Sequence, residues 1–127
     1  MFITKKAYSS FSVDTLETAQ EFYTKILGLK VEDNGMGLEI HLPGGGMVFA
    51  YPKDTHQPAS FTLLNFVVDN IDTALEELKS RGVHFEYYKD MPQDEKGILR
   101  GLSQNRGPSI AWFKDSAGNI LSILQEK

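Results

Sequence analysis

The sequence predicts an α+β fold of two tandem βαβββ modules, on three observations: a motif that occurs twice, an order of strand-like and helix-like segments that occurs twice, and a pair of matching turns. Val13-Asp14-Thr15-Leu16-Glu17-Thr18-Ala19 returns as Val68-Asp69-Asn70-Ile71-Asp72-Thr73-Ala74, with four of seven positions identical. Leu27-Gly28-Leu29-Lys30-Val31 answers to Arg81-Gly82-Val83-His84-Phe85 at nearly the same offset. Two matches in one order at one spacing indicate a duplicated unit of about half the chain.

Each copy opens on a strand-like run, residues 7–13 and 61–68, rich in aromatic and β-branched residues. Asp14-x-x-Glu17 then fits a capping box and Asp69-x-x-Asp72 imitates it, each offering oxygens to the free N–H groups of a helix start. Apolar residues follow at helical spacing: Leu16, Ala19, Tyr23, Ile26 and Leu27 in the first copy, Ile71, Ala74, Leu75 and Leu78 in the second. Gly28 and Gly82 stand where a left-handed C-cap belongs. Three strands are expected next in each copy: 29–33, 36–42 and 47–51, then 83–88, 109–114 and 119–125. Pro43-Gly44-Gly45-Gly46 and Asp115-Ser116-Ala117-Gly118 are the matching turns. Residues 52–60 link the halves. The long irregular stretch 89–108 carries three glycines and two prolines and reads as a functional lid or a mobile loop.

Length and composition narrow the class. A chain of 127 residues suits a single domain spanning 1–127, with module 1 at about 5–51 and module 2 at about 61–125. With no cysteine, disulfides, thiol catalysis and cysteine-held metal clusters are excluded. No apolar run is long enough to span a bilayer and residues 1–10 lack a signal-peptide core, so a cytoplasmic protein with no membrane partner is expected. The net charge of −4 with dispersed Lys and Arg argues against nucleic acid as a partner. Gly44-Gly45-Gly46 opens no helix, so it is a hairpin turn rather than a phosphate loop.

The string Phe22-Tyr23-Thr24-Lys25-Ile26-Leu27-Gly28-Leu29 resembles the first-helix signature of the vicinal oxygen chelate superfamily, which includes glyoxalase I, bleomycin resistance proteins and extradiol dioxygenases. Val68-Asp69-Asn70-Ile71-Asp72 is similar to its second-module counterpart, and Phe113-Lys114-Asp115-Ser116-Ala117-Gly118-Asn119-Ile120-Leu121 to its C-terminal turn. The resemblance implies a cup-shaped, mostly antiparallel sheet with the helices outside. It also implies a divalent metal held by the first and fourth strands of each module. Carried over, the ligand positions fall on Tyr8, Leu63 and Ser122, and on Ala50 or, with a shift of one, Phe49. None of these is a His, Glu, Asp or Gln, so neither metal nor another cofactor is expected.

Strand alternation assigns faces. With Phe11, Val13, Leu38, Ile40, Leu42, Leu64, Phe66 and Val68 toward the helices, the cup receives Tyr8, Ser10, Ser12, Glu39, His41, Leu63, Asn65 and Val67. Ile110, Trp112, Ile120, Ser122 and Leu124 join them, an apolar wall with dispersed polar groups. The candidate ligand contacts are Tyr8, Ser10, Glu39, His41, Asn65, Trp112 and Ser122. Each also has a plainer role as a core aromatic, a space-filling serine or a solvated strand face. His56 and His84 read as surface residues, and Arg100 and Arg106 as an anion clamp or, more commonly, solvated loop charges.

Three functions are open from sequence. The first is a metal-free binder of an amphipathic or aromatic small molecule, working as a homodimer. The second is a lyase, isomerase or dioxygenase that uses Glu39 and His41 as an acid–base pair, or a non-standard metal held by them with Asp54 or His56. The third is a protein-interaction module with a filled cup.

Overall fold

The computed structural model describes all residues, Met1–Lys127. It comprises two compact units, Met1–Pro58 and Ala59–Lys127. Each is a βαβββ module with a four-stranded sheet of one parallel and two antiparallel pairs.

In the first module β1 (Ser9–Val13) leads to α1 (Leu16–Glu21), and β2 (Lys30–Asp33), β3 (Leu38–His41) and β4 (Met47–Pro52) complete a sheet in the order β1-β4-β3-β2. Phe11, Val13, Leu38, Ile40, Val48 and Ala50 are buried, so one face of the sheet carries the core. The last turns of the helix widen into a π-helical segment, Phe22–Ile26. It sets the buried Tyr23 edge-on to Phe22 and 6.0 Å from the Phe11 ring. Gly28 then ends the helix at φ +70°, and Leu29 N–H donates back to the Tyr23 carbonyl at 2.9 Å. The expected Asp14–Glu17 capping box does not form. Thr15 is the N-cap without a side-chain bond, because the Asp14 carboxylate accepts the Thr15 N–H instead.

In the second module β5 (Thr62–Val67) leads to α2 (Ile71–Ser80), followed by β6 (Leu99–Arg100), β7 (Ser109–Lys114) and β8 (Ile120–Gln125) in the order β5-β8-β7-β6. Helix α2 lies over β7 and β8, and Ile71, Leu75, Ala111, Phe113, Leu121 and Ile123 form the core beneath it. Asn70, not Asp69, caps α2 by accepting the Thr73 N–H, while Gln125 accepts that of Ile71. Gly118 closes the β7–β8 turn at φ +84°, where Asp115 takes the N–H groups of Ala117 and Asn119.

The expected strand at 83–88 is corrected. Only Phe85 bridges to Phe113, and Glu86 N–H donates to the Trp112 carbonyl at 2.8 Å. The other half of the β7 edge is taken by β6, where Leu99 and Arg100 face Ile110 and Ser109. The place of a single edge strand is therefore split, with residues 87–98 leaving the sheet between its two pieces. An excursion removes the ladder partners that would have made 83–88 a strand.

Within those residues, side-chain hydrogen bonds tie the chain down. Gln93 accepts the Tyr88 N–H and donates to the Glu86 and Gly97 carbonyls, and Asp94 accepts the N–H groups of Lys96 and Ile98. Ile98 is fully buried. Arg100 donates to both oxygens of Asp72 at 2.7 and 2.9 Å and to Asp94 at 2.9 Å, and Lys96 reaches Asp72 at 3.2 Å. Arg100 is thus neither an anion clamp nor a solvated charge: it ties the excursion to α2. The Arg100 guanidinium holds the Asp72 carboxyl far below the usual carboxylate range. Burial works to raise Asp94, but the Ile98 N–H, the Arg100 guanidinium and the Lys96 N–H together hold it below its ordinary value.

Candidate functional site

One face of each sheet carries the core, and the candidate ligand contacts on the strands lie on the other face, which is partly covered in the second module, where Ser122 and Trp112 are buried. In the first module β2–β3–β4–β1 pairing sets Glu32 opposite Glu39, Glu39 opposite Phe49, and Phe49 opposite Ser10. Lys30, His41 and Met47 form the next row. Tyr8 precedes β1 and is exposed. Phe49 and Tyr51 stack with centroids 6.3 Å apart and planes at 21°. The Phe49 ring lies across Gly37, where an added Cβ would stand 2.7 Å from it and 2.5 Å from the Ala50 carbonyl.

Glu39 and His41 do share this face, but they do not pair. His41 Nε2 meets Glu32 Oε1 at 2.9 Å, and Glu39 accepts from the Asn34 amide at 3.0 Å. Side chains two apart on a strand are separated by about 6.6 Å of rise, so a cross-strand carboxylate is the nearer partner for a histidine. His56 is also corrected: its Nδ1 lies 2.6 Å from Ser12 Oγ on β1, partly buried rather than free on the surface.

In the second module Asn65, Ser122 and Trp112 are consecutive across β5, β8 and β7. The fully buried Ser122 hydroxyl donates to the Asn65 side-chain oxygen at 2.6 Å. That occupies the Asn65 side-chain oxygen and leaves its NH₂ group as a donor. A β-bulge between Thr62 and Leu64 brings Thr62 level with Ile120 on the same face. From there Thr62 Oγ1 accepts the Trp112 indole N–H at 3.1 Å. Alternation alone placed Leu63 on this face; the extra residue of the bulge puts Thr62 there.

Beside Trp112 is a cavity of about 220 Å³. Its walls are Trp112, Ile120 and Thr62 from the sheet, Ser60 and Phe61 from the approach to β5, and Tyr88 and Met91 from the excursion. Tyr88 and Trp112 meet edge to face, centroids 5.6 Å apart and planes at 82°. Trp112 is only 7% exposed, whereas Phe61 and Met91 are open to solvent. The Tyr88 hydroxyl is buried without a hydrogen-bond partner. Tyr88, Met91, Thr62 and Phe61 were missed from sequence. The bulge and the split edge strand bring them here, and neither feature has a periodicity to read.

The positions that would hold a metal carry side chains unsuited to one. Ala50 is fully buried and pairs with the core residues Phe11 and Leu38, so the open-face position on β4 is Phe49. Tyr8, Leu63, Phe49 and Ser122 bring one phenol and one already bonded hydroxyl, which do not fit a divalent cation. No three His, Asp or Glu side chains come together where they could hold one, and so Glu39 and His41 do not join Asp54 or His56 in such a group.

The sequence matches the family described as the Glyoxalase/Bleomycin resistance protein/Dioxygenase superfamily over residues 7–123. The chain belongs to this superfamily. No curated protein matches the sequence. Among solved structures, a superfamily member from Sphaerobacter thermophilus is 24% identical with a TM-score of 0.69, covering 98% of each chain. TnmS3, an antibiotic binding protein from Streptomyces sp. CB03234, is 22% identical with a TM-score of 0.69, over 100% of this chain and 99% of its own. The fosfomycin resistance protein FosX from Listeria monocytogenes is 15% identical with a TM-score of 0.68, over 99% of this chain and 96% of its own. At these identities the likeness establishes the superfamily fold, which hosts many chemistries. No helix is long and apolar enough to cross a membrane.

Proposed function

We propose that this superfamily member is a metal-free binding protein for an amphipathic or aromatic small molecule, held mainly on the open face of the second module around Trp112. The carrying observation is the cavity beside Trp112, walled by aromatic and apolar side chains with a few polar groups, the usual makeup of a small-molecule site. The donor chemistry at the ligand positions supports a function without metal. The fold likeness to an antibiotic binding protein adds support by analogy. Trp112 is the principal contact in this reading, with Thr62, Tyr88 and Met91 of the cavity wall; Asn65 and Ser122, next to Trp112 across the sheet, are proposed as further contacts. Tyr8, Ser10, Glu39 and His41 are proposed as candidate contacts of the first module's own open face, and the chain as a single cytoplasmic domain that works as a homodimer.

A thermal-shift screen of small aromatic molecules, run on protein dialysed against EDTA and checked by elemental analysis, tests the reading. Hits that raise the melting temperature without metal, and that Trp112→Ala abolishes, are expected. Near-stoichiometric metal, or ligand shifts that appear only when metal is restored, would overturn it in favour of an enzyme.

A further inference from the structure

The turn between β2 and β3, residues 34–37, holds the single Asn-Gly step of the chain, Asn34-Gly35. This pair is the one most open to spontaneous deamidation, because glycine has no side chain to hinder its own main-chain nitrogen. In that reaction the Gly35 nitrogen attacks the Asn34 Cγ, its proton passes through solvent to the departing amide, and ammonia leaves. Water then opens the cyclic imide on one side or the other, giving aspartate or isoaspartate. Asp33, Asn34, Gly35 and Met36 are exposed, so water and base reach the step. Gly35 takes φ +89°, a region that glycine enters freely, so the residue that shapes the turn also completes the reactive pair.

In the folded turn each reacting group is engaged elsewhere. Gly35 N–H donates to Asp33 Oδ1 at 2.8 Å, which points the attacking nitrogen's proton at that carboxylate. Asn34 Oδ1 accepts the N–H groups of Met36 and Gly37 at 2.9 and 3.0 Å. The departing nitrogen, Nδ2, donates to Glu39 Oε2 at 3.0 Å. The base of the turn is fixed as well, since Asn34 N–H donates to the Gly37 carbonyl at 3.0 Å and Leu38 is fully buried. A reaction that needs an open state proceeds in proportion to the open fraction, so these bonds slow it.

We propose that Asn34-Gly35 is a spontaneous modification site gated by the fold: the closed turn holds deamidation back, and the isoaspartate product does not let it close again. Isoaspartate routes the main chain through the former side-chain carbon, so the oxygen that held Met36 and Gly37 becomes a backbone carbonyl on a longer chain. Aspartate keeps an acceptor there but sets a carboxylate against Glu39 where an amide donor stood, and like charges so placed repel. Either product frees Glu39, a candidate contact on the first module's open face, from its bond to residue 34.

Deamidation of the full chain at mildly alkaline pH, folded and in urea, tests the proposal, with peptide mapping by mass spectrometry as the readout. Asn34 should convert at least about tenfold more slowly in the folded protein, as an open fraction of a tenth or less requires. Asp33→Ala, which releases the Gly35 N–H, should recover most of that factor. Asp33→Asn, which keeps an acceptor there, should stay close to wild type. Hydrogen exchange across residues 36–41 should be faster in the isoaspartate-bearing fraction of aged protein than in fresh protein. No conversion of Asn34 in urea would remove the site, and equal rates folded and unfolded would remove the gate. An Asp33→Ala rate equal to wild type, or an Asp33→Asn rate equal to that of Asp33→Ala, overturns the part given to the Asp33 bond. Unchanged exchange in the isoaspartate fraction overturns the effect on the turn.

Discussion

The two modules repeat one another in order and diverge in what they place on their open faces. At matching positions the first sets Ser10 beside Phe49, and the second sets Asn65 beside a buried Ser122. The first has a continuous edge strand, β2, whose Lys30 and Glu32 lie opposite His41 and Glu39 of β3. The second has an edge broken between Phe85 and Leu99, and the residues released there return as Tyr88 and Met91 against Trp112. The helix starts diverge too. Glu17 is exposed, whereas its counterpart Asp72 anchors Arg100 and Lys96. The two copies share the core pattern, and the second carries an excursion held by Asp72, where the first has an exposed Glu17.

The largest expected effect comes from the aromatic centre of the second module. Trp112→Ala should cost about 3–5 kcal/mol of stability, because the ring is buried and its removal leaves a void. The same change should weaken ligand binding by roughly 1–3 kcal/mol. Chemical denaturation and calorimetric titration measure the two losses separately. An equal destabilisation from Tyr51→Ala, on the half-buried stack of the first module, would break the contrast.

Gly37→Ala probes a close approach within the first module. Its Cβ would collide with the Ala50 carbonyl and the Phe49 ring, so a loss of about 1–3 kcal/mol is expected in denaturant unfolding.

Next in size is the clamp on the excursion. Asp72→Asn should cost about 1–2 kcal/mol, a figure reduced for the 42% exposure of the Asp72 side chain, while Glu17→Gln should stay within about 0.5 kcal/mol. The acid dependence sharpens the same comparison. Both Asp72 and Asp94 have folded-state pKa values below their unfolded ones, so their contribution is fully present above the ordinary carboxylate value of about 4 and is lost as pH falls from there. The gap between wild type and Asp72→Asn should therefore narrow below about pH 4 in melting experiments. A gap that widens there would contradict the ion-pair account.

The smallest effect is expected on the first module's charged row. His41→Ala should change stability by less than about 0.5 kcal/mol, since the His41 side chain is 38% exposed and its partner Glu32 is 54% exposed. Equilibrium unfolding measures it.

What could be read from the sequence followed periodicity. The α+β class, the two βαβββ modules, the C-caps at Gly28 and Gly82, and the alternation that buries Leu38 and Ile40 all rest on repeating signals. The departures share a different origin. The N-cap falls one residue later than expected in both modules, at Thr15 and Asn70, because the helices start at Leu16 and Ile71. His41 turned to Glu32 across the sheet rather than to Glu39 along it. The β5 bulge and the split edge were hidden because a single inserted residue, or a strand without ladder partners, leaves the local composition strand-like. Long-range pairing choices decide such points, and they have no local signature.

The central claim is that the second module's open face binds a small molecule without metal. Amide chemical-shift mapping with a hit from the metal-free screen tests it most directly. Perturbations are expected to be largest at Thr62, Asn65, Tyr88, Trp112 and Ser122, unchanged by EDTA. Perturbations confined to Glu39, His41 and their neighbours, or seen only after a divalent metal is added, would contradict it.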